Sequence, residues 1–345
     1  MIFLLLLAFM AAFLLTGFWL SLAQRRNWFD RPNHRSSHIL PTPKSGGAGF
    51  VAAYTAFTLA VYATQPLAPS QLLVITAGLL LAVMGFVDDL RPNGLGIWQR
   101  IAVQAVASAV ALALFEQVPP LTFPWGSIEP AAVRALLLLP ALVWLINLYN
   151  FMDGIDGLAA TEAIYCCLAL ALFTSGHDNA GVVTALSLGL ALTVSGFLYF
   201  NLSPARLFMG DLGSNYLGYI IAALGGLAIQ TGSVNVWTLL VLLGVFIVDT
   251  TATLVARMRA GAVWYHAHRS HAYQQAARRW NSHGKVVLAV ALINVCWLLP
   301  LAWLTTVQEG WGILIALVAL IPLHILGRLV RHAPQSHTDA PQASA

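Results

Sequence analysis

Long apolar runs separated by short polar stretches set the pattern of this chain. Runs close to the roughly 20 residues that a helix needs to cross a bilayer fall at about 1–22, 46–64, 70–87, 98–115, 133–149, 157–175, 181–200, 213–230, 236–256, 286–306 and 311–328. The pattern predicts an all-α polytopic membrane protein of about eleven spans, with one membrane domain over residues 1–331 and no convincing internal repeat. The polar residues 332–345 have the composition of a disordered tail.

Composition agrees with the pattern. With 59% hydrophobic and 9% charged residues over 345 positions, a soluble globule is excluded. Charge then sets the orientation. With the N-terminus outside, the odd-numbered connections and the C-terminal tail fall in the cytoplasm, and Arg134 is the single outside residue among the 17 lysines and arginines. That asymmetry follows the positive-inside rule and puts the polar loops inside. The basic balance reflects topology and an anionic lipid surface, not nucleic acid. No base precedes the first apolar run, which reads as a retained span that leaves the mature chain starting near Met1. Cys166, Cys167 and Cys296 all fall in spans and imply no disulfide framework.

Against this apolar background, five aspartates occupy three cytoplasm-facing segments: Asp88-Asp89, Asp153 with Asp156, and Asp211. Acids at helix ends are costly to a membrane fold, so their repetition points to a divalent cation and a phosphorylated ligand. Asp88 and Asp89 end an apolar helix and point about 100° apart, so one can face metal while the other accepts a proton. A plain helix stop is the rival reading. Asp153 and Asp156 are read as i, i+3 partners on the first turn of span 6, preceded by Asn150 and interleaved with Gly154 and Gly157. Helix capping explains one of those acids and leaves the other. The Gly210-Asp211-Leu212-Gly213-Ser214 turn projects Asp211 toward a metal, and Phe208 offers an aromatic plane for a base or an anchor in the headgroups.

Two loops add cations. Residues 30–49 mix His38, Lys44 and hydroxyls ahead of Gly46, Gly47 and Gly49, whose N–H groups are expected to approach an anion; a basic topology loop is the alternative. The loop from Arg257 to Lys285 carries His266, His268, Arg269 and His271, where Arg269 suits a diphosphate. No cysteine or further spaced ligand supports a zinc pair there. Asp249 and Glu162, deeper in the spans, are expected to be structural.

In order, spacing and membrane side, these segments resemble the polyprenyl-phosphate N-acetylhexosamine-1-phosphate transferase family, from Pro41-Thr42-Pro43 with Gly46-Gly47 to His271. The resemblance implies that undecaprenyl phosphate attacks the β-phosphorus of a UDP-N-acetylhexosamine and releases UMP. It implies Mg²⁺, or Mn²⁺ in its place, on Asp211 with Asn150. It further implies Asp156 on uracil with Phe208 stacked upon it, Asp153 in the sugar-nucleotide site, and Asp88 and Asp89 as catalytic residues near the lipid phosphate. His268, Arg269 and His271 are implied at diphosphate or sugar, and Lys44 and His38 on the lipid-phosphate approach. A homodimer is compatible with this picture.

Two departures stand out. The loop reads His268-Arg269-Ser270-His271 followed by Ala-Tyr-Gln, where many members are richer in histidine, and Arg91-Pro92 follows Asp88-Asp89 where peptidoglycan enzymes have a lysine. The loop is similar to the branch that starts O-antigen, often on 6-deoxy sugars such as N-acetylfucosamine or N-acetylquinovosamine, and Arg91-Pro92 speaks against a peptidoglycan substrate. Two other classes compete. An ion-coupled secondary transporter would carry its acids near mid-membrane, and a lipid-diphosphate phosphatase that recycles carrier lipid would face outward.

Overall fold

The computed structural model describes residues 1–32, 40–65, 67–92, 94–261 and 269–332. In chain order the helices are α1 (Ile2–Arg26), α2 (Gly47–Thr64), α3 (Pro69–Leu90), α4 (Ile97–Leu114), α5 (Ala131–Met152), α6 (Leu158–Thr174), α7 (Gly181–Asn201), α8 (Gly210–Gln230), α9 (Val236–Leu242), α10 (Gly244–Arg259), α11 (Ala272–Trp280), α12 (His283–Ile293), α13 (Leu299–Val307) and α14 (Gly312–His332). Among the described residues, sheet is confined to two short antiparallel pairs, Phe29–Asp30 with Thr42–Pro43 and Thr122–Phe123 with Gly126–Ser127.

Nine helical runs among the described residues are long and apolar enough to cross a membrane, ten if the bent pair α9 and α10 makes one span, and α6 is a shorter apolar helix. Each predicted segment thus has a helical counterpart. Two are not straight rods. The expected span 236–256 bends by 78° between α9 and α10. The expected span 286–306 carries a π turn at Asn294–Leu298, just ahead of Pro300, whose ring denies the helix one donor.

The core is built around α8. Every residue from Leu212 to Ile229 is buried, because the helix is apolar or small on all sides and neighbours α2, α3, α5 and α6 cover it. Small residues set the spacing, as membrane helices require. A side chain at Gly47 would strike Gly213, and one at Gly85 would strike the Asp211 carbonyl.

That packing corrects one expectation. Gly46 and Gly47 do not bare their N–H groups to an anion: they donate to Phe208 O at 2.8 Å and Met209 O at 3.0 Å, while Gly49 N donates to Gly46 O. The glycines instead let the 42–47 loop lie flat on the head of α8.

The odd-numbered connections meet at one end of the bundle. Residues 42–47 pair with 208–209, Asp89 and Asn150 reach the start of α8, and Asp156 meets His283. Even-numbered connections meet at the other end, where Trp237 Nε1 donates to Thr122 O at 2.7 Å and Glu116 N to Gln230 Oε1 at 3.1 Å.

Candidate active site

Two adjoining features form at the first end of the bundle. One is a cluster of acids at the head of α8. Asn150, on the last turn of α5, donates through Nδ2 to Asp211 Oδ1 and to Ser214 Oγ, both at 2.9 Å. This leaves Asn150 Oδ1 as its oxygen for a ligand. Behind Asp211, Asn215 donates to the Asp211 carbonyl at 2.8 Å and accepts from Gln104 at 3.1 Å, and Gln104 accepts from Asn147 at 2.7 Å. Such a satisfied buried chain fixes the peptide that carries Asp211.

Asp88 and Asp89 leave the end of α3 in different directions. Asp88 accepts from the Leu95 N–H and faces Arg100. The Arg100 guanidinium lies 3.8 Å from both Asp88 Oδ2 and Asp211 Oδ2. Asp211 keeps 29% of its side chain exposed against 11% for Asp88, so the open lone pairs belong to Asp211. Asp89 is turned into the protein, where its carboxylate accepts from Ser45 Oγ at 2.8 Å, Asp211 N at 3.1 Å and Leu212 N at 3.3 Å.

Beside the acids lies a cavity of about 530 Å³ lined by Leu40, Thr42, Asp156, Ala205, Phe208, Arg269, Gln274, Arg278 and His283, among others. Asp156 is held there by two segments distant in sequence. His283 Nδ1 stands 3.2 Å from Asp156 Oδ2, and Ala205 N donates to the same oxygen at 3.2 Å. Burial by itself would raise the Asp156 carboxyl, but these contacts outweigh it and hold the group below the usual carboxylate range. Asp153 goes the opposite way. Burial, then the charges of Asp89 and Asp156, push it well above that range.

Asp153 and Asp156 are not on a helical face as the i, i+3 spacing predicted. Asp153 is the residue after α5 and Asp156 sits in the turn before α6, which begins only past Gly157 at φ 77°. The acids therefore serve different surroundings.

Of the sequence-predicted residues, Asp88, Asp211 and Asn150 come together, as do Asp156, Phe208 and Arg269. Lys44 lies within electrostatic reach of Asp89, and its backbone is fixed by Trp28 and Trp19. His271 does not line the cavity. It is buried with Nδ1 3.8 Å from Asp249 Oδ1 and its ring stacked on Tyr273. His38 and His268 lie outside the described residues, as does the tail beyond residue 332. Asp249 is structural: it accepts from Ala272 N at 2.8 Å, Tyr273 N at 3.0 Å and Arg331 at 3.3 Å, tying α11 to α10 and α14. Glu162 accepts from Asn294 at 2.6 Å.

Three site residues escaped the sequence reading. Arg100 entered only the charge count, although an arginine on the first turn of an otherwise apolar helix signals a partner acid. His283 follows the helix-capping Ser282, a mark of a helix start and not of a ligand. Ser45 has φ 62°, which no pattern announces.

Among the described residues no group of three or more His, Cys, Asp or Glu side chains is arranged to hold a metal. Two carboxylates and an amide oxygen nevertheless suit Mg²⁺, a hard cation that keeps waters and takes further oxygens from a substrate phosphate. The Asp88 and Asp211 carboxyls, each 3.8 Å from the Arg100 guanidinium, give such a cation a place.

A sequence model of glycosyl transferase family 4 matches residues 71–231, the stretch from α3 to α8 that holds all five aspartates. The chain is 31% identical over 306 residues to the decaprenyl-phosphate N-acetylglucosaminephosphotransferase of Mycobacterium tuberculosis, covering 79% of this chain and 74% of that protein. It is 27% identical over 310 residues to a probable undecaprenyl-phosphate N-acetylglucosaminyl 1-phosphate transferase of Bacillus subtilis, covering 87% and 84%. A phospho-N-acetylmuramoyl-pentapeptide-transferase of Moorella thermoacetica is 35% identical over 229 residues, covering 62% and 68%.

Proposed function

This chain belongs to glycosyl transferase family 4, and from that premise we propose that it transfers an N-acetylhexosamine-1-phosphate from a UDP-sugar to undecaprenyl phosphate. UMP leaves, and the sugar remains on a lipid diphosphate at the cytoplasmic face of a bacterial inner membrane. The observation that carries this reading is the convergence of Asp156, Phe208 and Arg269 on one cavity beside the Asp88–Asp211 pair. A planar base between Asp156 and Phe208 directs its diphosphate toward Arg269 and the acids at the membrane end. Relatives of this family give no support to a transporter.

The chemistry suits these residues. An oxygen of the lipid phosphate, already anionic at neutral pH, attacks the β-phosphorus, and the bond from that phosphorus to the UMP oxygen breaks. No proton has to be removed to make the nucleophile. Phosphoryl transfer is then mainly alignment and charge neutralisation. Mg²⁺, held by Asp211 and Asn150, supplies that neutralisation when bound. Asp156 and Phe208 fix the nucleotide, Asp153 supports the sugar-nucleotide site, Arg269 offers donors to the diphosphate, and Asp88 with Arg100 closes the acid cluster.

The relatives named for N-acetylglucosamine put UDP-N-acetylglucosamine first as donor. The His268-Arg269-Ser270-His271 sequence favours a second donor class, the 6-deoxy N-acetylated sugars that begin O-antigen. UMP release by membranes supplied with undecaprenyl phosphate, Mg²⁺ and a panel of both donor classes tests the reading. Release with one class and not the other assigns the sugar. No release from any donor by folded protein sinks the transferase proposal.

A further inference from the structure

The paired aspartates at the end of α3 have different partners, Asp88 the Leu95 N–H and Arg100, Asp89 the head of α8. Asp89 spends its carboxylate on three donors: the Ser45 hydroxyl at 2.8 Å and the backbone N–H groups of Asp211 and Leu212 at 3.1 and 3.3 Å. Those two N–H groups belong to the first turn of α8 and have no partner within that helix. A side chain from another helix caps them. The fit depends on two glycines. A Cβ on Gly210, at φ 76°, would meet Asp89 Oδ2 and lie 2.9 Å from Ser45 Cα, and a Cβ on Gly85 would meet the Asp211 carbonyl. The ends of α3 and α8 therefore touch backbone to backbone, and Asp89 is the contact that fixes their register.

We propose that Asp89 is a positioning residue: by capping α8 it sets the direction in which Asp211 presents its carboxylate, and Asp88 is the member of the pair that faces the reacting groups. With three hydrogen bonds accepted from the 45–46 loop and the head of α8, the Asp89 carboxylate is committed to holding that helix. This divides two acids that adjacency in sequence treats as equivalent. The assignment rests on the transferase reading for its kinetic arm only.

Asp89→Asn keeps the shape but turns an amide N–H toward a backbone N–H, so Asp211 shifts. Mn²⁺ binding to the purified full-length protein, read by electron paramagnetic resonance without substrate, is expected to weaken by about tenfold or more, the range for a partner that orients a metal ligand. Turnover should recover in large part at saturating Mg²⁺, with the pH–rate profile of the unaltered protein. Asp88→Asn should lose turnover at every Mg²⁺ concentration. Unchanged Mn²⁺ binding in Asp89→Asn, with either collapsed or normal turnover, overturns the assignment. If Asp89→Asn does not fold, Ser45→Ala removes one hydrogen bond from the same carboxylate and carries the test: weaker Mn²⁺ binding supports the proposal and unchanged binding overturns it. Should the unaltered protein release no UMP, the transferase reading fails while the Mn²⁺ measurement still decides the role of Asp89.

Discussion

Asp153 and Asp156 stand three residues apart, yet their carboxyls are driven in opposite directions, Asp153 up by burial and neighbouring acids and Asp156 down by His283 against its own burial. Such a split separates a group that keeps its proton from one that stays ionised. For Asp156 the folded value lies below the unfolded one, so its stabilisation is present above the ordinary carboxylate range and is lost as pH falls through the depressed value. Removing His283 takes away the largest contact that opposes burial at Asp156. In His283→Gln we expect the KM for the UDP-sugar to climb as pH falls from about 7 to about 5, with the unaltered protein flat over the same interval, since an unperturbed carboxyl titrates near 4. Parallel profiles would remove His283 from the nucleotide site. The sequence named Asp156 but not its partner, because residues 156 and 283 become neighbours only through the packing of α12 beside the α6 turn.

At the scale of elements, two membrane helices use an aspartate to cap another helix: Asp89 of α3 caps α8 and Asp249 of α10 caps α11. Each cap ties a segment of the site to the rigid bundle, α8 with Asp211 and α11 with the Gln274 and Arg278 side of the cavity wall. The α3–α8 contact leaves no room for a methyl group at Gly85. Alanine there gains about 1 kcal/mol of helix propensity, but overpacking against a backbone carbonyl costs about 1–3 kcal/mol, so the clash prevails. Gly85→Ala should lower the unfolding temperature in detergent and depress turnover by displacing the Asp211 peptide. Gly176→Ala, where nothing lies within 4 Å, is the control and should do neither. An active, fully stable Gly85→Ala would show that the contact is slack. Hydropathy located both helices and could not foresee this, since the pattern reports which residues are apolar and not which two backbones touch.

For the whole molecule, the charge asymmetry and the structure make one joint statement: the connections with the basic residues are the ones that converge on the acids and the cavity. A membrane-impermeant thiol reagent distinguishes the two ends. A cysteine at Trp125, 75% exposed, should react in intact cells, and one at Leu202, 53% exposed, only after permeabilisation; the reverse pattern would turn the protein over. By itself the sequence determined the helices, their order and the end of the bundle that holds the acids. Backbone groups in lipid must be satisfied within each helix, so apolar length alone dictates the elements, and charge is tolerated only where they end. The tertiary structure alone decided what each acid faces. Neighbouring residues on a helix diverge by about 100°, and whether that rotation aims a carboxylate at an open site or at another helix depends on close approaches such as Gly85 against Asp211, which belong to packing and not to pattern.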